Sequence, residues 1–356
     1  MSDAPSQAAA ARAGEPSAAS AAPSAPIEPP AGRLAPHASE LPAQADHPVH
    51  PALTGLTLLE RGWLSSNNLV IHAVGDEAGA VLVDTSHSNH AEQTLALLQH
   101  ALGREPLVDV LNTHLHSDHC GGNAAVQREF GLAARVPGTL FEAVQAWDSA
   151  RLSYDATGQH CERFEAGGVL QAGEELIAGG RRWQALAAPG HDPDSLLLFD
   201  RDRGVLLSAD ALWEQGFGLV FPEIQGRPGF DDVQSTLDMI ERLPVTVVVP
   251  GHGRAFTDVA AAIGRARKRL AGWRADPQRH ARHAVKVLLK YHLMEVRAQP
   301  EDDLLQWAEA APMLRTVMES YGRELGLAPS ALCGELLQEL LASGAVTRDG
   351  ARILDA

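Results

Sequence analysis

Ten residues, Thr-His-Leu-His-Ser-Asp-His-Cys-Gly-Gly over 113–122, concentrate three imidazoles and a carboxylate: His114, His116, Asp118 and His119. Nitrogen and oxygen donors of this kind are what hydrolytic metals bind. The apolar run at 107–111 just before them reads as a strand. A chain that leaves it still extended turns His114 and His116 to one side, within reach of one cation. Asp118 and His119 fall where the chain must turn, and Gly121-Gly122 let a helix start close by, with room for a second cation. One histidine in such a loop would more simply cap and hydrogen-bond. Four donors within six positions point to metal.

A two-metal centre needs further donors, and three strand-like runs end on them. His191 follows 183–187 through Pro189-Gly190, Asp210 follows 205–207 through Ser208-Ala209, and His252 follows 245–249 through Pro250-Gly251. Two divalent cations held together lower the pKa of a bridging water toward neutrality, giving a hydroxide nucleophile without Ser or Cys. Asp118 is the candidate to orient that hydroxide and pass a proton to the leaving group. Zinc is the default for five His and two Asp, with iron or manganese able to accept the same set. Cys120 directly follows a donor and is expected to be a small buried packing residue. His87 and His90 belong to a helix start, Tyr154 and His160 to loop surface, and Trp63 and Phe217, as aromatics, to the core.

The elements that must position these groups follow from pattern. Strands are expected at 68–74 and 80–84, joined by a hairpin-like connection, the second ending on Asp84. Asn89 with Glu92 reads as a capping box for a helix that Gly103 closes. After the histidine loop a helix is expected from Asn123 to a stop at Gly131, and another near 140–147. The rest of 138–180 reads as irregular chain that could wall the site. Residues 231–243 carry helical spacing at Val233, Leu237, Ile240 and Leu243. Beyond Gly272 the apolar periodicity marks three amphipathic helices, and the Asp349-Gly350 turn near the end signals a hairpin. Three helices and a hairpin describe a winged-helix-like module.

The chain has 356 residues, 45% hydrophobic and 21% charged, with no apolar stretch of membrane-spanning length. The division expected is a disordered Ala/Pro-rich tail over 1–52, a catalytic domain over 53–272 and a helical module over 273–356. A net charge of -16 weighs against a nucleic-acid surface, and the stretch 274–356 holds ten Lys/Arg against twelve Asp/Glu. Packing, homodimerisation or shaping the site is the use expected of that module. Three scattered cysteines and the lack of a signal-peptide pattern fit a cytoplasmic protein.

Asp84, the His-x-His-x-Asp-His run, His191, Asp210 and His252 stand in the order and spacing of the metallo-β-lactamase fold superfamily, which residues 54–256 resemble. The resemblance implies an α/β fold, a four-layer αββα sandwich with metals at one edge between two sheets. It implies that His114, His116 and His191 hold one metal, that Asp118, His119 and His252 hold the other, and that Asp210 bridges them. Asp84 in this pattern supports the loop without ligating. The C-terminal helices look like the winged-helix extension of some hydrolases of the superfamily. Asp192-Pro193-Asp194-Ser195 departs from the Thr-Pro-Gly-Ser run of many relatives. The activity this implies is dinuclear metal-dependent hydrolysis of a small ester, thioester or lactone. RNA or phosphodiester hydrolysis, and a non-enzymatic metal-binding sensor, are the alternatives.

Overall fold

The computed structural model describes residues 50–324 and 326–356. The expected disordered tail lies outside the described residues except for 50–52, where His50 caps a short 3-10 turn over Pro51–Leu53.

Two sheets carry the architecture. The first runs in the order β1 (Leu56–Leu59), β2 (Asn68–Ile71), β3 (Ala80–Val83), β4 (Leu107–Leu111), β5 (Ala134–Pro137), β6 (Ala166–Leu170). The second comprises β7 (Glu175–Ala178), β8 (Arg181–Ala187), β9 (Leu196–Asp200), β10 (Val205–Ala209) and β11 (Val247–Pro250), also neighbours in chain order. Strands β3 to β6 pair in parallel, as do β10 and β11, whereas the remaining pairs are antiparallel. Parallel neighbours need crossovers, and helices α1 (Ala91–Leu102), α2 (Ser117–Cys120) and α3 (Asn123–Phe130) lie in those crossovers of the first sheet. The short α4 (Phe141–Ala146), α5 (Tyr154–Thr157) and α6 (Phe221–Ile224) border the site, and α7 (Phe230–Arg242) and α8 (Val259–Ala275) serve the second sheet.

Three apolar layers hold these parts together. Ile71, Val83 and Leu111 of one sheet meet Trp183, Leu198, Leu207 and Val249 of the other in a shared interior. The outer face of the first sheet packs Val70, Leu82 and Val110 against Leu98 and Leu102 of α1 and Val126 of α3. The outer face of the second packs Leu197, Phe199, Leu206 and Val248 against α7 and α8. Strands covered on both sides read as continuous Val/Leu runs, which β9, β10 and β11 do. This is the expected αββα sandwich.

The C-terminal part is α9 (Pro277–Val296), β12 (Ala298–Pro300), α10 (Glu301–Ala310), α11 (Pro312–Glu324), α12 (Pro329–Ala342), β13 (Val346–Asp349) and β14 (Arg352–Asp355). Its sheet has the order β12-β14-β13, and its helices enclose a core of their own around Val285, Leu289, Leu314, Leu336 and Ile353. The hairpin falls where Gly350 (φ +58°) allows it, in a winged-helix-like arrangement. Four helices stand where three were expected, because α10 has only Leu304 and Ala308 buried and so a weak apolar period.

Two local readings need correction. Asn89 does not cap α1: a 3-10 turn over Ser88–His90 leads into that helix, and the Asn89 side chain donates instead to the Glu295 carbonyl at the end of α9. The segment 138–180, expected to be mostly irregular, contains α5, β6 and β7 as well as the helix expected near its start.

Candidate metal centre

His114 and His116 lie between β4 and α2, Asp118 and His119 lie on α2 itself, and His191, Asp210 and His252 sit just past β8, β10 and β11. Asp84 follows β3 in the left-handed region (φ +58°), and Ala209 (φ +43°) occupies the same region just before Asp210. Strain of this kind persists only where surrounding structure holds it, and it gathers at functional sites. Buried Asp84 acts as an anchor. Its Oδ1 accepts from the Thr113 N–H at 2.9 Å, and its Oδ2 accepts from the Thr113 hydroxyl and from Nδ1 of His119, each at 2.8 Å. With Nδ1 donating, the other ring nitrogen of His119 is aimed away from Asp84 and into the site. His191 is fixed the same way, Nδ1 donating to the Leu219 carbonyl at 2.6 Å. Backbone must pass unusually close to these rings. A Cβ on Gly251 would lie 2.4 Å from Asp210 Oδ1 and 2.9 Å from His119 Cε1, and one on Gly122 would lie 2.2 Å from the Thr85 carbonyl.

The seven expected residues come together as two groups. In one, the facing nitrogens of His114, His116 and His191 stand 3.1 and 2.8 Å apart in succession. In the other, His252 Nε2 is 3.0 Å from Asp118 Oδ2, and His119 Nε2 is 3.4 Å from Asp210 Oδ1. Asp210 stands in the second group and reaches toward the first: Oδ1 faces His119 and His252, and Oδ2 lies 3.3 Å from Nε2 of His191. Within each group the donor atoms lie within 4.8 Å of one another, and all seven residues are buried.

Electrostatics separates the halves. Burial, aided for His114 by its neighbouring imidazoles, pushes His114 well down and takes His116 and His191 to about 4. At neutral pH these rings are uncharged and offer lone pairs. In the second half, burial works against ionisation, yet His119 and His252 outweigh it, holding Asp118 at about 2 and Asp210 well below the usual carboxylate range. His119 moves well upward: burial opposes this, and Asp210, Asp84 and Asp118 overcome it. A buried pair of carboxylates around an imidazole therefore demands positive charge. The buried Nε2 of His119 makes no hydrogen bond, and three uncharged imidazoles facing one point have no full set of protons to share. This donor chemistry fits divalent cations in both groups.

Aromatic rings frame the donors. Trp63 stacks on His252 with centroids 5.4 Å apart and planes 11° from parallel, Trp213 meets the same ring edge-on, and Trp213 Nε1 donates to Asp210 Oδ1 at 3.2 Å. Trp63 is 61% exposed and lies at the rim, not in the core as expected, while Phe217 is buried as expected. Tyr154, expected on loop surface, is buried with its hydroxyl donating to the Leu115 carbonyl and facing Cys120 Sγ at 3.1 Å, whereas His160 is exposed. Cys120 is a wholly buried packing residue. His87 accepts from the Asn89 N–H at the start of the 3-10 turn, as its place before a helix suggested. Sequence reasoning passed over Trp213, Phe221 and Tyr291, whose approach depends on contacts far apart in the chain. Asp192, in the departing run after His191, has its carboxylate 3.5 Å from His116 Nε2.

Residues 61–252 match the family model described as the metallo-β-lactamase superfamily. The chain belongs to that superfamily. Among curated members, a hydroxyacylglutathione hydrolase of Synechococcus sp. (strain JA-3-3Ab) is 31% identical over 189 residues, 53% of this chain and 64% of the relative. A human acyl-coenzyme A thioesterase is 29% identical over 164 residues, 43% of this chain and 58% of the relative. The chain thus spans less than two thirds of the length of either. Among solved structures, a metallo-β-lactamase family protein from Thermus thermophilus superposes with a TM-score of 0.50 at 23% identity, covering 85% of this chain and 99% of the other, a likeness of fold.

Proposed function

We propose that the protein is a dinuclear metal-dependent hydrolase of small esters, thioesters among them foremost. The observation that carries this reading is Asp210, whose two oxygens reach separate donor groups, the arrangement a carboxylate shared by two cations requires. His114, His116 and His191 would hold one ion, and Asp118, His119 and His252 the other. Divalent cations in such a setting, zinc by default, supply Lewis acidity and an activated water. The chain's own groups do the rest. Asp84 and the Leu219 carbonyl orient His119 and His191. Asp118, ionised and buried against His252, is placed to take a proton from the attacking water and return it to the departing thiol or alcohol. Trp63 and Trp213 shield one side from bulk water.

Both relatives named above are, by their names, enzymes that cleave thioesters, which favours that class here. The roof of α9 and α12 over the donors and the net charge of -16 weigh against an RNA strand as substrate. No helix among the described residues is long and apolar enough to cross a membrane. Metal analysis of the purified protein, paired with an assay on thioester, ester and lactone panels, tests the proposal. Two equivalents of metal with thioester turnover are expected; metal-free protein inert to all three panels would overturn it.

A further inference from the structure

A cavity of about 630 Å³ stands directly on the donor cluster, with His116, His191 and Asp210 in its floor. Its roof comes from another part of the chain: Val287, Leu288 and Met294 of α9 and Leu340 of α12. Lys286 and Lys290 also line it, yet both are already paired, Lys286 with Glu339 at 3.0 Å and Lys290 with Asp355. The roof therefore presents mainly hydrocarbon with its cations compensated, His283, Tyr291 and Ser343 being its other polar members, and nothing in it calls for a polyanionic group. The Trp63 edge at the rim adds apolar surface beside His252.

We infer that this chamber is a binding site for an alkyl arm of the substrate, so that the enzyme selects esters or thioesters bearing a hydrocarbon chain and reads its length against α9 and α12. The inference rests on the hydrolase reading for where the scissile carbonyl sits, at the floor. An engineered cavity of ~150 Å³ accepts benzene, so this one, at roughly four times that volume, has room for an alkyl chain on the order of ten carbons together with the scissile group. Removing each methylene from water favours binding by about fourfold, a slope that ends where the chamber is full. Val287, half-buried and on the roof, is a specificity-determining position because a larger side chain there would occupy the space of the terminal carbons.

The experiment uses the full chain and N-acetylcysteamine thioethers with ethyl to dodecyl arms. These cannot be hydrolysed, so binding is read by calorimetry apart from turnover. The matching acyl thioesters, and thioesters with the alkyl arm on the thiol side, are then assayed. Expected are a Kd falling about fourfold per added methylene up to a plateau and a parallel rise in kcat/KM for the series whose arm enters the chamber. Val287→Trp should cut the preference for dodecyl over butyl at least tenfold. Met294→Trp, should Val287→Trp fail to fold, should do the same. A Kd independent of chain length, or an unchanged preference in a folded variant, overturns the alkyl site even if thioesters are cleaved. A clear slope without turnover of any thioester leaves the site standing and removes the hydrolase reading instead.

Discussion

The floor and the roof of the chamber are built on opposite plans. The donors of the floor are buried and stand just past strand ends or on the short α2, and His119 and His191 have their second ring nitrogen tied down by Asp84 and the Leu219 carbonyl. The roof is two helices whose apolar core takes in Leu219, Phe221 and Ile224 beside the site, and which also reach toward the floor by a few polar ties. Tyr291 of α9 meets Ser117 at 2.8 Å, and Glu295 accepts from His87 at 3.0 Å. Chemistry tolerant of no displacement is placed on sheets, and selection among substrates is left to an appended surface that can vary without disturbing it. Damage to the floor should then abolish activity wholesale, whereas damage to the roof should be selective or purely structural.

The sharpest break comes from Asp210→Asn, which keeps the shape and removes the charge shared by both donor groups. Bound metal should drop from two equivalents to one or fewer, and kcat/KM should fall on the order of 10³-fold, equal to several kcal/mol of transition-state stabilisation. Elemental analysis beside steady-state kinetics checks both. A variant retaining two metals and near-normal turnover would remove Asp210 from the centre. Asp84→Asn should do less, because Asp84 acts through His119. Its new amide would face three donors that now point at a carboxylate. A loss of ten- to a hundredfold in metal affinity is expected, measurable by competition with a chelator, and an unchanged affinity would show that the imidazole needs no such anchor.

The difference between the two regions also explains what could be read from the chain alone. Floor residues announce themselves by local grammar: a hydrophobic run, then Pro-Gly or small residues, then one His or Asp, as at His191 and His252. Short-range pattern suffices because strand ends lie where the pattern changes. The roof has no such mark. Val287 and Leu340 look like any amphipathic positions, and only the placement of α9 and α12 turns them toward the donors. Residue type alone puts Trp63 in the core, and its exposure at the rim comes from neighbours at 213 and 252. Spacing to Glu92 makes Asn89 a cap, but a carbonyl 206 residues away offers a better partner. Strand β6 is hidden by Gly167-Gly168, weak strand formers that the fold uses because a Cβ at Gly167 would lie 2.4 Å from the Ala133 carbonyl.

The pH dependence of folding sharpens the contrast on the roof's side. His280 of α9 is buried against Trp273 and accepts the Val220 N–H at 3.3 Å, which ties α9 to the loop whose Leu219 carbonyl orients His191. Burial, with a smaller contribution from His283, pulls His280 down to about 3. The unfolded chain protonates this ring below about pH 6.5 while the folded chain does not. The unfolded state then binds the extra proton, so stability is complete above 6.5 and declines as the pH falls toward 3, by about 1.4 kcal/mol per unit. Urea unfolding at pH 7.5 and 5.5 should show the wild type losing about 1.4 kcal/mol more than His280→Gln, which can accept from Val220 without titrating. Equal losses in the two proteins would mean that α9 yields to protonation without cost.

The smallest effect expected is that of Tyr291→Phe. The phenol of Tyr291 is buried beside Asp118 and bonded to Ser117, whose own hydroxyl reaches Gln159 at 3.0 Å. Burial, followed by the charge of Asp118, pushes this phenol well above its ordinary range, so it is a neutral hydrogen-bond partner at any pH the fold tolerates. Losing one buried hydroxyl bond costs about 1 kcal/mol of stability, seen as a shifted urea midpoint. Ser117 keeps Gln159 as a partner and Asp118 keeps His252, so bound metal and kcat should stay within a few fold of wild type. A collapse of kcat at full metal content would instead place Tyr291 among the groups that touch the reacting atoms. The boundary between a chemical floor and a selective roof would then run through α9 itself.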